Sequence, residues 1–438
     1  MRGLSWKCDI AQLFHAHDRA RSLYSCGMSE TDMDASAPAR PHGSAWEVFG
    51  AFLKLGLTSF GGPIAHLGYF RDELVTRRRW LDDQAYADLV ALCQFLPGPA
   101  SSQVGFGLGL KRAGLAGALA AWTAFTLPSA ILLVLFAYGA SLFEGPVGQS
   151  VLHGLKLVAV AVVAQAVWGM ARTLCPDRTR ASIAVAGALI AIFVAGSLGQ
   201  IAAIVLGALL GFWLCRDLAT PKAIHVRFPI GRRFGAVMLA LFFILLIGLP
   251  LANEVLDIQG LAYFDAFYRS GALVFGGGHV VLPLLQEAVV QPGWVSEDAF
   301  LAGYGAAQAI PGPLFTFSAY LGAAMGPEPS GIAGAALCLV AIFLPGMLLL
   351  LGTLPFWDAL RTRPKMQAAM AGTNAAVVGI LAAALYSPVW TSAVLGPYDF
   401  AIALTAFVLL TVWKSPPWIV VLLTAAGAVA VGLATTVT

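Results

Sequence analysis

Long apolar runs broken by short charged clusters dominate this chain. Residues 234–252 (FGAVMLALFFILLIGLPLA) run for 19 residues without a charge, close to the ~20 that carry a helix across the hydrocarbon of a bilayer. Residues 181–215 carry no charge over 35 residues and are split by Gly196-Ser197-Leu198-Gly199, which predicts two short spans joined by a tight turn. Further spans are expected at 113–140, 151–171, 331–356, 366–388, 398–413 and 416–436.

The pattern occurs twice. Phe52-x-Lys54-x-Gly56-x-x-x-Phe60-Gly61-Gly62 recurs as Phe267-x-Arg269-x-Gly271-x-x-x-Phe275-Gly276-Gly277. Trp80, then Gln94 and Pro97-Gly98-Pro99, recurs as Trp294, Gln308 and Pro311-Gly312-Pro313. Gly114-Leu115-Ala116-Gly117-Ala118 is matched by Gly331-Ile332-Ala333-Gly334-Ala335, and Pro128 by Pro345. Ordered matches of this kind signal internal duplication. The expected organisation is a disordered cytoplasmic lead-in (1–43), a first repeat (44–215), a basic linker (216–233), a connector span (234–252) and a second repeat (260–438). The lead-in mixes charges with Ser, Pro and Ala and has no apolar core of signal-peptide length.

One extra span between two even-crossing repeats inverts the second, as in many secondary transporters. The charges agree. Arg172, Arg178, Arg180, the basic linker, Arg361, Arg363, Lys365 and Lys414 fall on one side, and Glu254 with Asp257 on the other. The basic side is cytoplasmic by the positive-inside rule. Read as full spans, segments 46–70 and 86–110 would put Arg71, Arg77, Arg78 and Arg79 outside, and the acidic loop 286–298 inside. Re-entrant hairpins correct both loops, giving nine crossings and four hairpins in place of 13 spans. Each arm of about 14 residues would reach ~21 Å.

Composition narrows the class. Apolar residues make up 59% of the 438, and Asp, Glu, Lys and Arg only 11%, against about a quarter in soluble domains. Mean hydropathy is +0.80. These values exclude a soluble enzyme, a nucleic-acid binder and a disordered scaffold, leaving an all-α polytopic membrane protein. The 47 Gly and 24 Pro point to broken helices. Six scattered Cys form no C-x-x-C, and neither a disulfide framework nor a metal site is expected. No flavin, haem, H-E-x-x-H or Walker signature is present, so no cofactor and no enzymatic role are expected.

The candidate chemistry lies at the hairpin tips, Phe60-Gly61-Gly62-Pro63 with Pro97-Gly98-Pro99, and Phe275-Gly276-Gly277-Gly278 with Pro311-Gly312-Pro313. Neither Gly-Gly-Pro nor Pro-Gly-Pro continues a helix, so a new helix starts after each break with free N–H groups aimed at the tip. Four such N-termini near the midplane would make a pocket suited to an anion. Ser101, Ser102 and Thr316 add hydroxyls, and Gln94 and Gln308 add amides at matched positions. Lys54 and Arg269, also matched, read either as snorkelling side chains or as positive charge for an anion pathway. His66 and His279 read either as ligand groups or as packed, hydrogen-bonded imidazoles. Lys156 reads mainly as snorkelling, and Trp80 and Trp294 as interface anchors.

Together these motifs resemble the chromate ion transporter (CHR) family in its long-chain, two-domain form, over about residues 46–436. The resemblance implies a multi-pass carrier of the bacterial inner membrane that exports chromate, with protons as coupling ion. Sulfate, a similar tetrahedral dianion, is the expected competitor. Gly278 where the first repeat has Pro63 is a departure that puts strict equivalence of the two tips in question. A passive oxyanion channel and a sulfate-type uptake carrier are the alternatives.

Overall fold

The computed structural model describes residues 43–139, 145–194, 197–215, 228, 230–357 and 363–437. The expected disordered lead-in, most of the basic linker, Arg361 and Thr438 lie outside the described residues. Among the described residues there are helices and no strands.

The first repeat comprises α1 (Ala45–Thr58), α2 (Gly62–Phe70), α3 (Asp83–Phe95), α4 (Ala100–Tyr138), α5 (Pro146–Leu174), α6 (Arg178–Phe193) and α7 (Ser197–Leu214). A π-helical turn, Arg71–Arg77, extends α2. The connector is α8 (Arg232–Leu256). The second repeat follows as α9 (Gln259–Ala272), α10 (Val281–Val289), α11 (Glu297–Ala307), α12 (Phe317–Ala324), α13 (Gly331–Thr353), α14 (Pro364–Ala384), α15 (Pro397–Thr411) and α16 (Pro417–Val437). The long α4 stands for both α12 and α13. It bends at Ala113 and Gly114, where Gly114 has φ +64°, and the matching Gly331 has φ +59°. Only glycine takes that backbone without strain. The bend lets the arm before it fold back along the span after it: Gly109 lies on the Gly117 carbonyl, and Gly322 on that of Gly334. Small residues at such crossings allow close backbone approach.

Among the described residues six helices are long and apolar enough to cross a membrane: Ala100–Tyr138, Pro146–Leu174, Arg232–Leu256, Gly331–Phe356, Pro364–Ala393 and Pro417–Ala434. The chain is thus an all-α polytopic membrane protein of two repeats joined by one connector span. The uncharged stretch 181–215 does divide into two helices, α6 and α7, and α14 packs against both. Glycines carry that contact, with Gly372 on the Gly207 carbonyl and Gly379 on that of Ala184.

The arms before each span form hairpins whose open ends share one end of the repeat. Glu47, at the start of α1, accepts from Trp80 Nε1 at 3.2 Å and from Arg112 at 3.0 Å. The first residue of hairpin one, its last, and the last of hairpin two therefore meet. A chain that crossed the bilayer between positions 47 and 80 could not make this contact. The second repeat closes likewise. Tyr263 packs on Trp294 with ring centroids 4.6 Å apart, and its hydroxyl donates to the Pro327 carbonyl at 2.9 Å. The 14 residues of α1 rise about 21 Å, short of the ~30 Å hydrocarbon. Aromatic side chains fill the arms' interior: Phe52, Phe70 and Phe125 meet edge to face in the first repeat, and Phe300, Tyr304 and Phe317 in the second.

Candidate functional site at the crossed hairpin tips

All four tips use backbone that glycine alone adopts readily. The φ values are +97° and +78° at Gly61 and Gly62, +77° and +151° at Gly276 and Gly277, +118° at Gly98 and +108° at Gly312. Each break exposes a helix start with no side-chain cap: α2 after Gly61, α4 after Pro99, and the short 3-10 turns Gly278–Val280 and Leu314–Thr316 that lead into α10 and α12.

The tips cross between repeats. The Gly98 N–H donates to the Val274 carbonyl at 2.7 Å, and the Gly312 N–H donates to the Ser59 carbonyl at 2.9 Å. Ser59 precedes Phe60-Gly61, and Val274 precedes Phe275-Gly276, so the two bonds are equivalent under exchange of repeats. A pseudo-twofold relation between the repeats produces this reciprocity. The broken spans complete it. Gly98 lies against Gly346, which follows Pro345, and Gly312 lies against Ser129, which follows Pro128. Gln103 staples the first crossing, its Nε2 donating to the Pro97 carbonyl at 3.1 Å and the Gly346 carbonyl at 3.0 Å.

A cavity of about 50 Å3 opens at the second crossing, several times the ~10–15 Å3 that one water needs on the same measure. Gly61 and Gly62 line it from the first repeat, and His279, Gln308, Gly312 and Leu314 from the second, with Gln165 of α5 beside them. His279 Nδ1 is 2.7 Å from the Tyr304 hydroxyl. The amide nitrogen of Gln308 donates to the Tyr304 carbonyl at 3.3 Å, and that of Gln165 to the Leu410 carbonyl at 3.2 Å. The lining has no carboxylate. Two amides and an imidazole, set among glycines and the apolar Val162, Ala307, Ile310, Leu314 and Pro417, surround a space of a size that suits a small anion.

Profile comparison with known families decides the class: the Chromate transporter family matches residues 46–212 and 261–431, one match on each repeat. The chain belongs to the chromate transporter family. A chromate transport protein of Pseudomonas aeruginosa is 27% identical, with 90% of this chain and 94% of that protein aligned. One from Cupriavidus metallidurans is 28% identical over 87% of this chain and 91% of its own. A probable chromate transport protein of Synechococcus elongatus is 28% identical over 81% and 87%. No solved structure matches significantly.

In this member of the family the sequence candidates separate into two groups. Gly61, Gly62, His279, Gln308 and Gly312 gather at the cavity, whereas the matched cations do not line it. Lys54, half exposed, pairs with Glu73 at 3.1 Å. Arg269 grips Asp265 through two bonds of 2.9 and 2.6 Å, and Asp265 is only 1% exposed. The charge of both is already neutralised. Gln94 is exposed on α3 and so is not the environmental twin of Gln308. Thr316 Oγ1 donates to the Pro313 carbonyl at 2.7 Å, which engages its proton within its own turn. His66 is buried 3.4 Å from Ser101 Oγ, and the Ser102 hydroxyl is buried without a partner. Because Phe275 is followed by His279 after four residues and Phe60 by His66 after six, the two His occupy different repeat positions. Lys156, expected to snorkel, instead pairs with Asp298 at 2.8 Å and bridges the repeats. Trp80 and Trp294 close hairpin bases, as described above.

Sequence reading missed Ser59, Gln103, Glu73, Tyr304 and Asp265. Asp265 and Arg269 stand four apart on α9, the spacing of a helical ion pair, and were findable. The others take their roles from partners distant in sequence.

Proposed function

We propose that this chain is a secondary carrier that exports chromate from the bacterial cytoplasm across the inner membrane, driven by the proton-motive force, with sulfate as a competitor. The observation that carries this reading is the small carboxylate-free cavity between Gly61-Gly62 of one repeat and His279, Gln308 and Gly312 of the other. A tetrahedral dianion presents four acceptor oxygens. Uncapped helix starts, amides and an imidazole replace its water shell, each hydrogen bond to a charged group contributing about 1.5–3 kcal/mol.

The site sits where the repeats hold one another by two equivalent hydrogen bonds, the place where rocking of one repeat against the other would exchange access. Inverted repeats fit the distribution of charge. Arg77, Arg78 and Arg112 cluster at the first repeat's hairpin base, while the second repeat's carries Glu297 and Asp298. Asp298 meets α5 through Lys156, and His153 of α5 meets Asp399 at the start of α15.

The test is radiolabelled chromate uptake into inverted membrane vesicles, with and without an uncoupler and with excess sulfate. Concentrative, uncoupler-sensitive, sulfate-inhibited uptake is expected. Flux that only equilibrates the gradient would make the protein a passive channel, and accumulation only in right-side-out vesicles would make it an uptake carrier.

A further inference from the structure

Behind the first hairpin tip lies a buried polar cluster that the cavity does not use. Ser59, His66, Ser102 and Thr126 are 0, 1, 5 and 1% exposed. Ser59 Oγ, His66 Nε2, Ser102 Oγ and Thr126 Oγ1 have no hydrogen-bond partner among the described residues. His66 Nδ1 meets Ser101 Oγ, and its ring stands edge-on to Phe125 at 5.3 Å. The Ser59 carbonyl, which takes the Gly312 N–H, also lies beside the imidazole.

The second repeat is an internal control. The positions equivalent to Ser59, His66 and Thr126 are the apolar Val274, Val281 and Phe343, and Ser102 is matched by Thr316, whose hydroxyl donates to the Pro313 carbonyl within its own turn. The second repeat thus builds the same architecture with apolar residues at three of the four positions and a paired hydroxyl at the fourth. Buried groups left unpaired are costly, so their presence in one repeat alone points to a ligand.

We infer that His66 takes up a proton when the oxyanion binds, so that proton and anion cross together; this rests on the oxyanion reading above. The charged groups on the elements packed around α2 are engaged or exposed toward the hairpin base. Glu47 pairs with Arg112, Lys54 with Glu73, and Arg71 with Asp83, while Arg77 and Arg78 also hold Glu73. Asp72 is exposed; Lys111 on α4 faces Phe228, and Asp88 on α3 takes the Trp357 N–H. Of the other titratable groups on α2 and α3, Tyr69 is exposed, the Tyr86 hydroxyl donates to the Leu67 carbonyl, and Cys93 is buried. None of these forms an ion pair with His66, so among the described residues an imidazolium there has no paired counter-charge. The nearby anion supplies it: His66 stands one helical turn beyond Gly62, which lines the cavity, or about 6 Å along the axis. A new N–H bond forms on the ring with a proton from water and breaks on release across the membrane. A dianion moving out with one proton carries one net negative charge, so the inside-negative potential, the electrical part of the proton-motive force, drives it while the pH gradient opposes the outgoing proton. By reciprocity each ligand raises the affinity for the other.

The test uses the purified full chain and chromate in weak buffer, subtracting chromate's own protonation in protein-free buffer. Uptake of about one proton per bound chromate is expected, with affinity rising up to tenfold per unit fall in pH where His66 titrates. Infrared difference spectra of wild type with ring-labelled histidine should show an imidazolium band on chromate addition. His66→Gln should lose the proton uptake, the band and the pH slope, and His153→Gln should keep all three. Chromate binding to wild type without proton uptake or the band overturns the coupling, as does uptake that persists in His66→Gln. Wild type that binds no chromate overturns the oxyanion reading itself.

Discussion

Replacing the central glycine of either Pro-Gly-Pro tip tests whether the crossed tips hold the carrier together. Gly312 has φ +108°, and a Cβ there would stand 2.7 Å from Ser129 Oγ and 3.2 Å from its Cβ. Gly98 has φ +118°, and a Cβ there would stand 3.2 Å from Gly346 Cα and from Gln103 Nε2. Left-handed backbone costs a non-glycine residue about 1–3 kcal/mol, and losing the N–H bond to Ser59 or Val274 costs about 1 kcal/mol more. Gly312→Ala and Gly98→Ala should each weaken the crossed state by roughly 2–4 kcal/mol, or about 30- to 1,000-fold in its population. Ser129→Ala in the Gly312→Ala background removes the closest contact and should return the clash component, but not the backbone strain. The assay is chromate uptake in vesicles at matched expression, beside thermal unfolding of the purified variants. Alanine variants at both tips with wild-type transport and unchanged melting would refute the claim that the reciprocal bonds matter.

Four further outcomes follow from the ion pairs and the topology. Arg269→Gln should lower stability more than Lys54→Gln, because it leaves the buried Asp265 unpaired whereas Glu73 keeps Arg77 and Arg78; equal melting temperatures would contradict this. If either cation also attracts the anion, Lys54→Arg and Arg269→Lys retain chromate affinity that the Gln variants lose, and equal affinities would leave the helix starts as the source of attraction. A cysteine at Arg78 should react only from the cytoplasm and one at Glu297 only from outside, while the opposite pattern would restore full spans. Burial raises the pKa of Glu73, but hydrogen bonds from Arg78 and Lys54 outweigh it and hold the carboxyl below its ordinary value. A depressed folded-state pKa gives stability that is present above the unfolded value, about 4.3, and lost as pH falls through the folded one. Acid unfolding should therefore lose part of its pH dependence in Glu73→Gln, measured by melting between neutral pH and about pH 3.

Much of the fold was legible because its breaks are written in glycine and proline. Gly61-Gly62 and Pro97-Gly98-Pro99 cannot sit inside a helix, and their recurrence exposed the two repeats. The hairpins were expected from Arg71, Arg77, Arg78 and Arg79, whose charge disfavours an outside loop. The crossing itself was not legible. The bond from Gly98 to Val274 joins backbone atoms 176 residues apart, and a backbone donor leaves no mark in side-chain pattern. The pairing of Lys54 was not legible because its partner, Glu73, lies in a separate arm of the hairpin. Ser59 and Thr126 escaped because a lone hydroxyl in an apolar helix is common and usually bonds its own preceding turn.

The reciprocal tip bonds make this chain a single-chain dimer of incomplete halves. Neither half contains an acceptor for its own Pro-Gly-Pro glycine, since Val274 serves Gly98 and Ser59 serves Gly312. A half made alone presents one donor and one acceptor that its own chain does not pair. Two such halves satisfy each other only in the mutual orientation that the connector α8 already enforces. The covalent link therefore selects orientation, and severing the chain between the repeats should still give a working carrier when both pieces are made together in opposite orientations.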